Sequence, residues 1–163
     1  VVLGEGPVSD SMNTDINLTD RYYLVLPLFT KFEEVAAGLD KLIAVGLCGL
    51  TALQLFTKDG LMYGDFNPSN FVFEKTDDHL VAKLVGFGSL VPAADFHIDQ
   101  SKAEMKDRND LASTLQSTLD ECAHSLIPVE RRSKLCFEKL ITDLRSPIIE
   151  LSAIHPIIQG TIL

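Results

Sequence analysis

The sequence is short of what several protein classes require. It has three cysteines, Cys48, Cys122 and Cys136, widely spaced and without a CxxC pair. An odd count at such spacing argues against a disulfide framework and against a cysteine metal site. It fits a reducing compartment, intracellular and cytoplasmic. Cations are scarce too: 14 Lys and Arg stand against 23 Asp and Glu, a net charge of −9. Nucleic-acid binding needs clustered basic residues, and the pair Arg131-Arg132 is isolated and reads as a solvated helix face. A charge-free run from Leu42 to Phe56 has only 15 residues, bounded by Lys41 and Lys58-Asp59. A bilayer span needs ~20, so this run reads as a helix buried inside protein. Neither nucleic acid nor membrane is therefore expected as a partner. There is no internal repeat, no low-complexity segment and no signal peptide in the residues present. The first residue is Val and a β-rich stretch follows at once, which reads as a piece truncated at its N-terminus.

What remains is ample for one folded domain. The chain has 163 residues, 46 % of them hydrophobic, which is enough to bury a core. Gly4 to Asp20 is polar and reads as a loop. Tyr22 to Leu26 is aromatic and β-branched and reads as a strand, ended by Pro27, which has no N–H to donate. Lys31 to Gly38 reads as a short helix. Leu39 to Lys58 reads as a long one, with Leu42, Ile43, Leu47, Leu50 and Leu53 at helical spacing. Gly46 and Gly49 cost this helix about 1 kcal/mol each against Ala, a loss that close packing on a neighbour would justify. Gly60 stops it. Phe71 to Phe73 and Val81 to Val85 read as two strands around a polar turn, with His79 a turn residue. Leu90 to Met105 reads as a loop. Helices are expected at Lys106 to Ala123 and at Pro128 to Leu144, and a last short one after Ser146-Pro147.

Two stretches carry chemistry. Tyr63-Gly64-Asp65-Phe66-Asn67-Pro68-Ser69-Asn70 joins the long helix to the first strand of the hairpin, and Gly86-Phe87-Gly88 follows the second strand. Together they resemble the catalytic loop H-R-D-L-x-x-x-N and the D-F-G of protein kinases. The segment Asp107 to Leu115 resembles the central helix of the C-lobe, in the form seen in casein-kinase-like and vaccinia-related-like kinases. Tyr23 to Phe29 resembles the last N-lobe strand and the hinge. Leu151 to Ile158 resembles the "HPF" ending.

The resemblance implies an α+β, mainly α fold: a protein-kinase-like C-lobe with a small β-hairpin and a residual N-lobe strand. Residues 1–26 would be the N-lobe remnant, 27–30 the hinge and 31–163 the C-lobe. It implies Asp65 as catalytic base, vestigial or active, Asn67 in the place of the loop Lys, and Asn70 as metal ligand. It implies ATP contacts at Leu26, Pro27, Phe29 and Phe73. It gives structural roles to Tyr63, Phe87 and Asp110. Asp110 would accept hydrogen bonds from backbone N–H groups of the loop.

The departures bear on activity. The motif's Arg is Gly64, its Lys is the uncharged Asn67, and the Asp that bridges Mg²⁺ to the phosphates is Gly86. No A-P-E follows, and Arg145, the partner of its Glu in the family, is left with only the poorly spaced Glu104. The resemblance thus allows ATP, with Mg²⁺ weakened. The implied function is a pseudokinase that acts as scaffold or allosteric regulator on a protein partner. The alternatives are a divergent kinase using Asp65 and a small-molecule phosphotransferase of the "GD" type. Restoring chemistry would take at least Gly86→Asp with Asn67→Lys.

Overall fold

A computed structural model of the chain describes residues 28–76, 79–96, 98–124 and 129–154. Tyr22 to Leu26, Pro27, Pro128 and the His155-Pro156 ending lie outside the described residues, and with them the expected N-lobe strand.

The long helix forms as its periodicity predicts: α1 spans Leu39–Lys58. Gly60 follows it with φ 69°, the left-handed turn that glycine tolerates. Leu42, Val45, Leu50 and Leu53 are buried, while Leu55 is 54 % exposed. Among the described residues α1 is the one helix long and apolar enough to cross a membrane, yet here it packs on other elements. Its first turn holds Lys41, which is buried as well. The Lys41 ammonium donates to the Val35 carbonyl at 3.3 Å, pairs with Glu121 at 3.1 Å and lies 3.7 Å from the centre of the Phe32 ring. A buried cation with three such partners is compensated.

After α1 come β2 (Leu61–Met62), then the hairpin β3 (Phe71–Lys75) and β4 (Leu80–Leu84). The hairpin is antiparallel, Phe71 facing Leu84 and Phe73 facing Ala82. Strand alternation turns Phe71 and Phe73 into the core. Thr30–Lys31, β1, adds to the other edge of β3. Lys31 to Gly38 is therefore not a helix; only Phe32–Glu34 makes a single 3₁₀ turn. Phe32 is the reason, since its ring packs on Phe73 at 5.9 Å between centres and holds the chain just after β1 against β3.

The expected loop at Leu90 to Met105 is also corrected. Val91–Pro92 forms β5, paired with β2, and Ala93–Phe96 a 3₁₀ turn. The central helix α2, Gln100–Ala123, starts six residues before Lys106 because Asp99 caps it. The Asp99 carboxylate accepts from the Ser101 N–H at 2.8 Å and its hydroxyl at 2.7 Å. The third helix, α3, spans Arg131–Arg145. After Ser146 the chain bends, and residues 151–154 make one helical turn.

α2 is the centre of the domain. It packs against α1 on one side and α3 on the other, and Leu111, Ala112, Leu115 and Leu119 are buried between them. Arg108, also buried, reaches the end of α3: its guanidinium donates to the carbonyls of Asp143 (2.8 Å), Leu144 (2.9 Å) and Ser146 (2.8 Å). They lie at the end of the helix, where carbonyls lack onward helical partners; that of Asp143 also accepts from the Ser146 N–H at 3.2 Å. Glu104 pairs with Arg108 at 3.2 Å, so it is not a partner for Arg145, which is exposed.

The approach of α1 to α2 is set by Gly49. A Cβ at this position would lie 2.3 Å from Leu111 Cδ1. Helix propensity alone would favour Gly49→Ala by about 1 kcal/mol. Overpacking a closed contact costs about 1–3 kcal/mol, so Gly49→Ala should lower the urea midpoint of unfolding. A raised midpoint would show that Leu111 has room to retreat.

Candidate functional site

The Tyr63 to Asn70 loop leaves β2 and enters β3. Tyr63 and Phe66 are both buried, and their rings meet edge to face at 4.8 Å between centres. The Tyr63 hydroxyl donates to the Val85 carbonyl. Burial pushes this phenol up to about 12, and the Asp65 and Asp107 carboxylates push the same way, so Tyr63 stays a donor. The Val85 N–H in turn donates to the Asn70 carbonyl at 2.9 Å. Val85 immediately precedes Gly86, so one residue ties the two motif stretches together.

The loop backbone is held from α2. Asp107 is buried, and its two carboxylate oxygens accept from the N–H groups of Tyr63 (2.8 Å) and Gly64 (2.6 Å). Burial pushes the Asp107 carboxyl up from its ordinary value, against the pull of these two bonds. The expectation for Asp110 is thereby corrected. Asp110 is on the rim and pairs with Lys106 at 2.6 Å. Helix geometry gives the reason: Asp107 stands one turn before Leu111 and shares its inward face, whereas Asp110 is about 100° away. That signal was legible in the sequence. Lys106 also donates to the Gly64 carbonyl at 2.8 Å, and the Thr114 hydroxyl to the Phe66 carbonyl at 2.6 Å. Neither residue is marked by any motif.

Asp65 sits at the loop's centre with both carboxylate oxygens occupied. Asn67 Nδ2 donates to Oδ1 at 2.5 Å, and Asn70 Nδ2 to Oδ2 at 2.6 Å and to the Asp65 carbonyl at 2.9 Å. Asn67 Oδ1 accepts from the Ser69 N–H at 3.0 Å and caps the 3₁₀ turn at Pro68–Asn70. Both amides are oriented by chemistry, since turning either would set oxygen against oxygen. A cleft of about 350 Å³ opens beside Asp65, walled by Asn67, Asp110, Ser113 and Ser117.

Gly86 takes φ 77° and ψ 37°. Phe87 sets one edge on Phe56 and Tyr63, at 6.5 and 6.1 Å between ring centres, and is 52 % exposed on the other. With Leu55 and Val81 it borders a groove of about 1000 Å³ between α1 and β4, floored by Leu47 and Leu84. Cys48 lines the same groove. Burial holds its thiol up at about 11, too high for a nucleophile at neutral pH.

Of the four expected cofactor contacts, Phe29 and Phe73 lie among the described residues. Phe73 is only 1 % exposed, under Phe32, and cannot touch a nucleotide without unpacking the core. Phe29 is half-buried, with its ring centre 4.7 Å from Lys83 Nζ on β4. Leu26 and Pro27 lie outside the described residues. Among the described residues no group of three His, Cys, Asp or Glu side chains is placed to hold a metal ion.

The fold is similar to that of a solved kinase, in the crystal structure of the Rad53 kinase domain and SCD2. The likeness has a TM-score of 0.61 at 17 % identity, over 86 % of this chain. The chain spans 66 % of that neighbour, just under two thirds of its length. The likeness shows a protein-kinase-like α+β fold. No protein-family model matches the sequence, and a search of curated proteins finds no match.

The exchange of roles between the two aspartates is measurable. Asp107→Ala leaves two loop N–H groups without their acceptor and should cost about 2–3 kcal/mol. Asp110→Ala removes a half-exposed ion pair and should cost under about 1 kcal/mol. Urea midpoints compare them directly, and a larger loss for Asp110→Ala would return the structural role to that residue.

Proposed function

We propose that the chain is a pseudokinase: residues 31–163 are the C-lobe of one protein-kinase-like domain, which works through its surface as scaffold or regulator and transfers no phosphoryl group. One observation carries the reading. Gly86, in the place of the metal-binding Asp, has no side chain, and Asn70 is turned toward Asp65. The loop also lacks its cation, because Asn67 is neutral. Lys106, the cation nearest the loop backbone, is bound to the Gly64 carbonyl and Asp110.

A protein partner belongs to this reading, and the exposed apolar side chains of Leu55, Val81 and Phe87 support it. The burial of Phe73 speaks against ordinary adenine contacts at that residue. A second reading, a divergent phosphotransferase with Asp65 as base, draws support from the polar cleft beside Asp65. It must do without a bridging carboxylate and a loop cation. Electrostatic contributions of this kind are worth about 3–4 kcal/mol each, or two to three orders of magnitude in rate.

The deciding assay is label transfer from radiolabelled ATP, to the chain itself and to a mixed protein acceptor, with and without Mg²⁺. Wild type and Asp65→Asn should be equally inert. Transfer that requires Mg²⁺ and is lost in Asp65→Asn would establish the second reading instead.

A further inference from the structure

The geometry around Gly86 says more than that a carboxylate is missing. The Asn70 amide fills the place where one would start. A Cβ on residue 86 would lie 2.6 Å from Asn70 Oδ1 and 2.9 Å from its Cγ. Both distances are shorter than real Cβ contacts, and the left-handed φ of 77° adds strain for any side chain. So the observed Asn70 conformer requires glycine at 86.

The same conformer leaves no place for a cation between Asp65 and Asn70. Mg²⁺ needs about six oxygens at ~2.0–2.1 Å in near-octahedral array. Asn70 presents protons, not its oxygen, to Asp65, and both Asp65 oxygens already accept amide protons. Asn70 Oδ1 faces a glycine. An ion entering between Asp65 and Asn70 would have to break the bond between them and reverse the amide. The Mg²⁺ that this fold holds at such a loop does not fit these residues.

We infer that Asn70 is a closing side chain and not a ligand, and that it and Gly86 are a matched pair that shuts the loop to divalent cations. This rests on the reading above only for the correspondence of Asn70 and Gly86 with the fold's metal positions. The closure acts on the metal, whatever the domain's partner.

Two measurements on the full chain test it. In the first, Mn²⁺ binding is followed by the loss of its free-ion paramagnetic resonance signal, for wild type and Asn70→Ala. The expected result is identical curves, and any uptake common to both belongs to the acidic surface. Tighter binding by wild type, weakened about tenfold or more in Asn70→Ala, would make Asn70 a ligand and overturn the inference. In the second, Gly86→Ala is made in wild type and in Asn70→Ala, and urea midpoints are compared. The loss should be smaller in the Asn70→Ala background, where no amide is in the way. Equal losses would overturn the pairing. Should Gly86→Ala fail to fold in wild type, its recovery in the Asn70→Ala background is the expected result; should it fail in both, Gly86→Asn, a residue that tolerates the left-handed φ, takes its place in the same comparison, and equal losses again overturn the pairing. Label transfer bears on the pseudokinase reading alone, so either idea can fail without the other.

Discussion

The two hydrogen bonds from the Tyr63 and Gly64 N–H groups to Asp107 are the constraint on which the loop depends. The loop has little regular structure: a 3₁₀ turn and a left-handed glycine, flanked by short strands. Its backbone donors lie near the protein interior, where an unmet N–H costs about as much as the helix bond it replaces. A buried carboxylate on the central helix meets two of them at once. It also sets the register of everything after them, for Gly64 is adjacent to Asp65, and Asn67 and Asn70 are positioned around Asp65.

Asp107 can do this because its neighbour on the helix does the complementary task. Arg108 carries the opposite charge and points to the other side, into the carbonyl end of α3. Successive residues on a helix are about 100° apart. One turn of α2 therefore ties the loop to one flank and α3 to the other, and each buried charge is met by backbone dipoles. Gly49 completes the arrangement, since the closeness of α1 to Leu111 brings the end of α1, and the loop after it, within reach of Asp107. Stability and site geometry in this domain are thus the same contacts.

How much of this could be read from the chain depended on the range of the cause. α1 and the hairpin were legible because periodicity, a glycine stop and β-branched alternation act within a few residues. The start of α2 was legible in principle from Asp99 and Ser101, but the polar stretch around them reads equally as loop. β5 was not legible, as a two-residue strand ending in Pro92 is made by its partner Leu61–Met62 and not by its own sequence. The residue types of the loop were plain. The burial of Phe73 was not, because it is decided by Phe32, about forty positions away. Asp110 was favoured over Asp107 by motif alignment, although counting back from Leu111 along the buried face selects Asp107.

The presence of Asp65 and Asn70 looks at first like an argument for catalysis. The geometry gives both residues a second role, in holding the loop together. Asn70 accepts from Val85 through its carbonyl and holds Asp65 through its amide. Asp65 is the acceptor around which both loop amides turn. Each has a structural task independent of any phosphate. Among the departures from the kinase motif that the loop resembles, Tyr63 and Phe66 still pack in the core, whereas Gly64, Asn67 and Gly86 stand where the resemblance would put side chains that do chemistry or read charge. Two of the replacements are structurally useful. Asn67 caps the 3₁₀ turn and binds Asp65, and Gly86 admits the Asn70 amide. A lysine at 67 could not accept from Ser69, and an aspartate at 86 would displace Asn70. Putting the kinase residues back would therefore first have to break a loop that is already satisfied without them.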